Sequence, residues 1–147
     1  MLEPELINLS LKAADKNDAI MKLCEMIAAR RKVCDPKKLF ENIMNRESLK
    51  STAVGHGVAI PHSRCDFGES ITVAAAICEK PIDFGAADGV HVRLIIIIIA
   101  PKDETAAYLQ ILSQIASLLH SEKVREELVC SKTQKDFIET VKRNERR

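Results

Sequence analysis

The sequence has no tryptophan, and its aromatic residues are one Tyr and 4 Phe, 3% of the chain. Binding of single-stranded nucleic acid draws on aromatic platforms for base stacking, and these are nearly missing. A dominant charge is missing too. The 22 Lys and Arg face 21 Asp and Glu, leaving a formal charge of +1 and no field to gather nucleic acid or an anionic membrane. Glycine and proline are scarce, at 5 each, against 46% hydrophobic residues, which excludes disordered, collagenous and low-complexity chains. The longest apolar run, Leu94 to Ala100, is far shorter than the roughly 20 residues of a membrane-spanning helix, so no membrane insertion is expected. The start, Met1-Leu2-Glu3-Pro4-Glu5, has neither a basic segment nor an apolar stretch ending in small residues, and a cytoplasmic location is expected. The five cysteines (Cys24, Cys34, Cys65, Cys78, Cys130) form an odd set without a C-x-x-C pair. They are expected to be reduced, mostly as small buried apolar residues, with neither a disulfide framework nor a metal site.

What is present reads as alternating helices and strands. Ile20, Leu23, Cys24, Ile27 and Ala28 recur at helical spacing between Asp15 and Arg31, and Asp15 with Asp18 three residues later suits a helix start. Asp35-Pro36 gives a cap followed by proline, and Leu39, Phe40, Ile43 and Met44 form the stripe of a second helix ending near Glu47. Between Ser48 and Arg64, glycines break the period around the apolar run Val58 to Ile60, predicting a loop, a short strand and a turn. Ile71 to Ile77 and Val92 to Ile99 are continuous apolar runs, as in strands covered on both faces, with Ile95 to Ile99 central. After Pro101 the helical period returns around Tyr108, Leu112, Ile115 and Leu119, then Val124, Leu128 and Val129, then Phe137, Ile138 and Val141. Helices on both sides of such strands imply one three-layer α/β/α domain over residues 1–147 with a largely mixed sheet.

The segment from Gly55 to Arg64 is the unusual one, because His62 directly follows Pro61 on a loop relieved by Gly55 and Gly57. Proline fixes its own φ and restricts Ile60, so His62 retains little freedom beyond its ring torsions. A fixed neutral imidazole suits covalent catalysis, and phosphoryl transfer asks mainly for in-line positioning and stabilisation of spread negative charge. Arg46 and Arg64 are the candidate anion partners. On the residues alone, a turn-capping role for His62 stands on equal footing. A zinc site from His56, His62 and a cysteine matches no common spacing. His91 before a strand, His120 at a helix end and the basic tail Lys142 to Arg147 need no functional explanation.

The string Arg46-Glu47, Ser51-Thr52, Gly55-x-Gly57-x-Ala59-x-Pro61-His62 resembles the active-site segment of the type 2 A-component (EIIA) of the bacterial phosphotransferase system, the fructose, mannitol and nitrogen-regulatory class. The resemblance extends from Asp15-Lys16-x-Asp18-Ala19-Ile20 through Pro81-Ile82-Asp83-Phe84-Gly85 and the isoleucine run to Leu109-x-x-Leu112-Ser113, nearly the whole chain. It implies a three-layer α/β fold in which His62 accepts a phosphoryl group from a phosphorylated histidine carrier protein (HPr- or NPr-like), with Arg46 nearby stabilising the group and no cofactor. A downstream regulatory or transport protein is the other implied partner. The chain carries no sugar-binding signature, no fused carrier domain and no membrane component, so the nitrogen-regulatory branch is expected over a sugar-specific one.

The sequence departs from the family pattern at three positions. Relatives usually carry a second histidine at the start of the helix after the central strand, and alignment on Leu109-x-x-Leu112-Ser113 puts Tyr108 there. A tyrosine hydroxyl donates one hydrogen bond without positive charge, so weaker stabilisation of a phosphoryl dianion is expected. Ser63 stands where glycine is common and could offer its hydroxyl to the phosphate, and His56 replaces asparagine or another polar residue and could arrive from the loop as a substitute partner. The alternative function these departures leave open is a protein-binding module that keeps the fold with weak or no phosphotransfer.

Overall fold

The computed structural model describes residues 2–31, 35–65 and 70–145. In chain order a single 3-10 turn, Pro4–Leu6, leads into β1 (Ile7–Leu11), α1 (Lys16–Arg30), α2 (Pro36–Glu47), β2 (Ala53–Gly55), β3 (Val58–Ala59), β4 (His62–Cys65), β5 (Thr72–Ile82), β6 (Val92–Pro101), α3 (Thr105–Leu118), α4 (Glu122–Val129) and α5 (Gln134–Glu145). The start of α1 is held as its acidic pair suggests: Asp15 Oδ1 accepts from the Asp18 amide at 2.9 Å, and Asp18 Oδ2 accepts from the Ala14 amide at 2.9 Å. Asp35 caps α2 in the same way through the Lys37 amide, with Pro36 in the first turn where its missing N–H costs nothing.

The sheet runs β1-β5-β6-β3-β2, with β4 also paired to β6. It is mixed: β1 is parallel to β5, β5 antiparallel to β6, and β3 and β4 both parallel to β6. Along β6 the side chains divide strictly. Ile95, Ile97 and Ile99 pack with α1 and α2, whereas Leu94, Ile96, Ile98 and Ala100 pack with α3, α4 and α5. This period-2 division of an unbroken apolar run is what a strand covered on both faces requires. Each fully buried isoleucine contributes about 1.5–3 kcal/mol of burial, so truncating Ile95 or Ile97 would empty the centre of one layer. Among the described residues no helix is long and apolar enough to cross a membrane.

Three features differ from the sequence expectation. Strand β1 was not anticipated, because Ile7 to Leu11 is short and carries polar Asn8 and Ser10 between its apolar positions; Ile7 and Leu11 are nevertheless buried. Strand β5 runs past Ile77 through exposed Glu79, Lys80 and Pro81 to Ile82, its register to β6 shifting on the way, so a proline that looked like a boundary lies inside an irregular strand end. Finally, the predicted turn after Val58 to Ile60 is a second strand. β3 and β4 pair with β6 in one register and are separated only by Ile60 and Pro61. Proline has no N–H to give the ladder, but its carbonyl still accepts from the Ile98 amide at 3.1 Å, so the chain stays in line across the break. Cys24, Cys65 and Cys78 are buried free thiols, Cys130 is exposed, and Cys34 lies outside the described residues, as do the last two residues of the basic tail.

Candidate functional site

His62 opens β4, so its position is set by the β6 ladder rather than by a free loop. Strand alternation then divides its neighbours. His62 and Arg64 point to the α3 side, where the ring of His62 lies 6.0 Å from that of Tyr108 at a tilt of 52°. Ser63 is buried and Cys65 packs on the opposite side, with Asn42 of α2 donating to the Cys65 Sγ at 3.4 Å. The Ser63 hydroxyl therefore faces away from the His62 ring, the consequence of being one residue along a strand.

The imidazole is oriented by its own backbone. His62 Nδ1 is 2.7 Å from the carbonyl oxygen of Ile60. A carbonyl only accepts, so the proton sits on Nδ1 and Nε2 keeps its lone pair. Ile60 is itself anchored through the preceding peptide, its N–H donating to the Thr52 carbonyl at 3.0 Å. Burial pushes the His62 pKa below the usual histidine value, an effect opposed by the Ile60 contact, strengthened by Arg46 and opposed again by Glu47. The ring is thus biased towards the neutral, nucleophilic form.

Arg46 occupies the last turn of α2, where its Nη1 donates to the Lys50 carbonyl at 3.1 Å. Its positive charge acts on both His62 and Tyr108, lowering the pKa of each. Tyr108 lies in the first turn of α3, 7% exposed, and burial raises its pKa against the opposing influence of Arg46 and Arg64. Its hydroxyl is a neutral hydrogen-bond donor. Arg64 is committed elsewhere: one guanidinium nitrogen donates to the Lys102 carbonyl and, at 2.5 Å, to the Thr105 hydroxyl, tying β4 to the start of α3.

His56 does not join this group. It sits exposed at the β2–β3 hairpin with φ 58° between two left-handed glycines, its amide donating to Asp88 Oδ2 at 2.8 Å. From Val58 to His62 the chain follows β6 in one register, roughly 13 Å at about 3.3 Å per residue, and His56 lies in the turn beyond the Val58 end of that line. Glu47, quoted in the motif but given no role by sequence reasoning, proves to be 5% exposed. It accepts from the Thr52 amide at 3.2 Å and from the Thr52 hydroxyl, and pairs with Lys16 at 2.8 Å. Its signal in the sequence was weak, because a glutamate at a helix end is ordinarily solvated. Among the described residues no group of three or more His, Cys, Asp or Glu could hold a metal ion.

The chain as a whole is similar to known proteins. The family model of the phosphoenolpyruvate-dependent sugar phosphotransferase system, EIIA 2, matches residues 1–144. The chain is 36% identical over 132 residues to a nitrogen regulatory protein of Bradyrhizobium diazoefficiens, covering 90% of this chain and 86% of that protein. Its fold superposes on that of the nitrogen regulatory protein IIA-Ntr from Neisseria meningitidis with a TM-score of 0.90 at 28% identity, over 95% of this chain and 94% of that one. It also matches the Escherichia coli mannitol enzyme IIA, solved in complex with phosphorylated enzyme IIB, with a TM-score of 0.82 at 26% identity over 97% of each chain. Since the match runs through both helical layers and the sheet between them, and not through the His62 segment alone, the chain belongs to the EIIA type 2 family of the phosphotransferase system.

Proposed function

We propose that this protein is a phosphocarrier in which Nε2 of His62 accepts a phosphoryl group from a phosphorylated histidine carrier protein. The observation that carries the reading is the 2.7 Å contact between His62 Nδ1 and the Ile60 carbonyl, which leaves Nε2 as the free nucleophile on a ring that cannot turn away. In the transfer, the Nε2 lone pair forms the new N–P bond as the N–P bond to the donor imidazole breaks, and the proton stays on Nδ1, hydrogen-bonded to the Ile60 carbonyl. Arg46 supplies charge to the moving phosphoryl oxygens, and the Tyr108 hydroxyl supplies one neutral hydrogen bond. A regulatory output is proposed over a sugar-specific one on the similarity to proteins named for nitrogen regulation, at 36% identity, with a fructose-specific EIIA component of Haloferax volcanii at 35% as the rival precedent. By analogy with the mannitol enzyme IIA, solved in complex with phosphorylated enzyme IIB, a downstream protein would exchange the phosphoryl group with this chain.

The test is to mix the protein with a phosphorylated carrier and phosphoenolpyruvate and follow labelling. One acid-labile, alkali-stable phosphoryl group per chain is expected, absent from His62→Ala. A second reading, a binding module without efficient transfer, draws on Tyr108 at the place of a second histidine. It prevails if neither wild type nor Tyr108→His accepts phosphate from any competent donor.

A further inference from the structure

We infer that Glu47 is a positioning residue for His62, acting through Thr52 and the Ile60 peptide to select the ring tautomer that leaves Nε2 free. The inference deepens the phosphocarrier reading and rests on it for its functional meaning. It begins with burial: a glutamate that is 5% exposed must have its charge compensated. Lys16, from the first turn of α1, provides the compensation at 2.8 Å, and that ammonium also stands 5.4 Å over the ring of Phe84. The carboxylate then takes both donors of Thr52, its amide and its hydroxyl. Next door, the Ser51 hydroxyl donates to the Phe84 carbonyl at 2.6 Å, so residues 51 and 52 are pinned to two different segments.

Pinned in this way, Thr52 presents its carbonyl to the Ile60 amide at 3.0 Å. Ile60 cannot answer a shift at Thr52 by rotating freely, because the following Pro61 restricts its backbone to extended conformations. The Ile60 N–H and the Ile60 carbonyl belong to consecutive peptide units joined at the Ile60 Cα, and with Pro61 restricting the torsion between them, anchoring the first holds the second, whose carbonyl accepts from His62 Nδ1. An unbroken chain of contacts, Lys16 to Glu47 to Thr52 to Ile60 to His62, joins the start of α1 to the imidazole. Loosening the carboxylate frees Thr52, lets the Ile60 carbonyl wander, and allows the ring to populate the Nε2–H tautomer, which has no nucleophile facing outward. The Glu47 charge also opposes the influence of Arg46 on the ring, so its loss acts on the imidazole in a second way.

Nitrogen NMR of the His62 ring in the unphosphorylated protein reads the tautomer without any donor. Wild type should be almost wholly Nδ1–H. Glu47→Gln should show a mixture of tautomers and should accept phosphate about tenfold more slowly, the scale expected of a small misplacement of a reacting group. Thr52→Val, which removes one donor to the carboxylate, should shift the tautomer in the same direction, and Thr52→Ser should restore the wild-type signature. If Glu47→Gln does not fold, the Thr52 pair decides the matter. An unchanged His62 signature in a folded variant, accompanied only by a lower melting temperature, overturns the inference and leaves Glu47 as a brace. A wild-type protein that is never phosphorylated sinks the phosphocarrier reading while leaving the tautomer result to stand or fall by itself.

Discussion

Two histidines lie near opposite ends of the same strand line, and they are held in opposite ways. At His56 the backbone is fixed: consecutive left-handed residues, Gly55, His56 and Gly57, shape the hairpin, and Asp88 accepts from the His56 amide. The side chain projects into solvent. At His62 the ring is held, with Nδ1 hydrogen-bonded to the Ile60 carbonyl, the Tyr108 ring 6.0 Å away and the charge of Arg46 acting on it. Glycine and proline punctuate both places. What separates them is whether a backbone acceptor and a facing helix meet the imidazole, since only an oriented, partly desolvated ring offers a defined lone pair to an electrophile.

The sharpest way to break this contrast is to remove each ring in turn. His62→Ala should reduce phosphoryl acceptance to background, and His56→Ala should leave it within about twofold of wild type, as expected of an exposed position. Labelling of both variants with the same phosphorylated carrier checks this, and retained labelling in His62→Ala would reverse the assignment. Arg46→Ala comes next. Loss of a charge-assisted contact to the phosphoryl group should cost roughly 1.5–3 kcal/mol, about a ten- to hundredfold slowing measured by rapid quench. Circular dichroism of the same variant should show the fold retained.

Tyr108 gives a smaller effect. If its hydroxyl donates to the phosphoryl group, Tyr108→Phe should slow transfer about fivefold, the value of one neutral hydrogen bond, and Tyr108→His should speed it by adding a donor that can carry charge. A thermal melt run alongside separates these outcomes from a packing role against Ile111 on the buried face of α3. The smallest effect is on stability. Because burial lowers the His62 pKa, the unfolded chain binds this proton more readily than the folded one at pH values below about 6.5. The contribution of His62 is intact above the unfolded value and is lost as pH falls through the folded value. Denaturant titrations should show wild type losing more stability than His62→Ala across that interval, and parallel losses would contradict the burial.

The sequence made most of the fold legible through periodicity and punctuation. Asp15, Asp35 and Pro36 marked helix starts, and the isoleucine run marked the central strand. The short strand expected at Val58 to Ile60 is β3, paired to the distant β6, whereas β2, three residues long and held by its hairpin to β3, is too short to show a period. The same limit governs the site. The candidates His62, Arg46 and Tyr108 follow from residue type and family pattern, whereas the face that His62 and its strand neighbours take depends on strand register. That dependence is why Ser63, adjacent in sequence, faces away from the ring, and why His56, six residues off, belongs to the other end of the sheet. Glu47 is illegible for a related reason: it is singled out by its burial against Lys16 and Thr52, which no local pattern announces.

The central claim is that one nitrogen of one histidine is prepared for phosphoryl transfer. Phosphorus and nitrogen NMR of the protein after treatment with a phosphorylated carrier test it most directly. The result predicted is a single phosphohistidine at Nε2 of His62, its Nδ1 proton still hydrogen-bonded to the Ile60 carbonyl. A phosphoryl group on Nδ1 of His62, or on His56, would contradict the account.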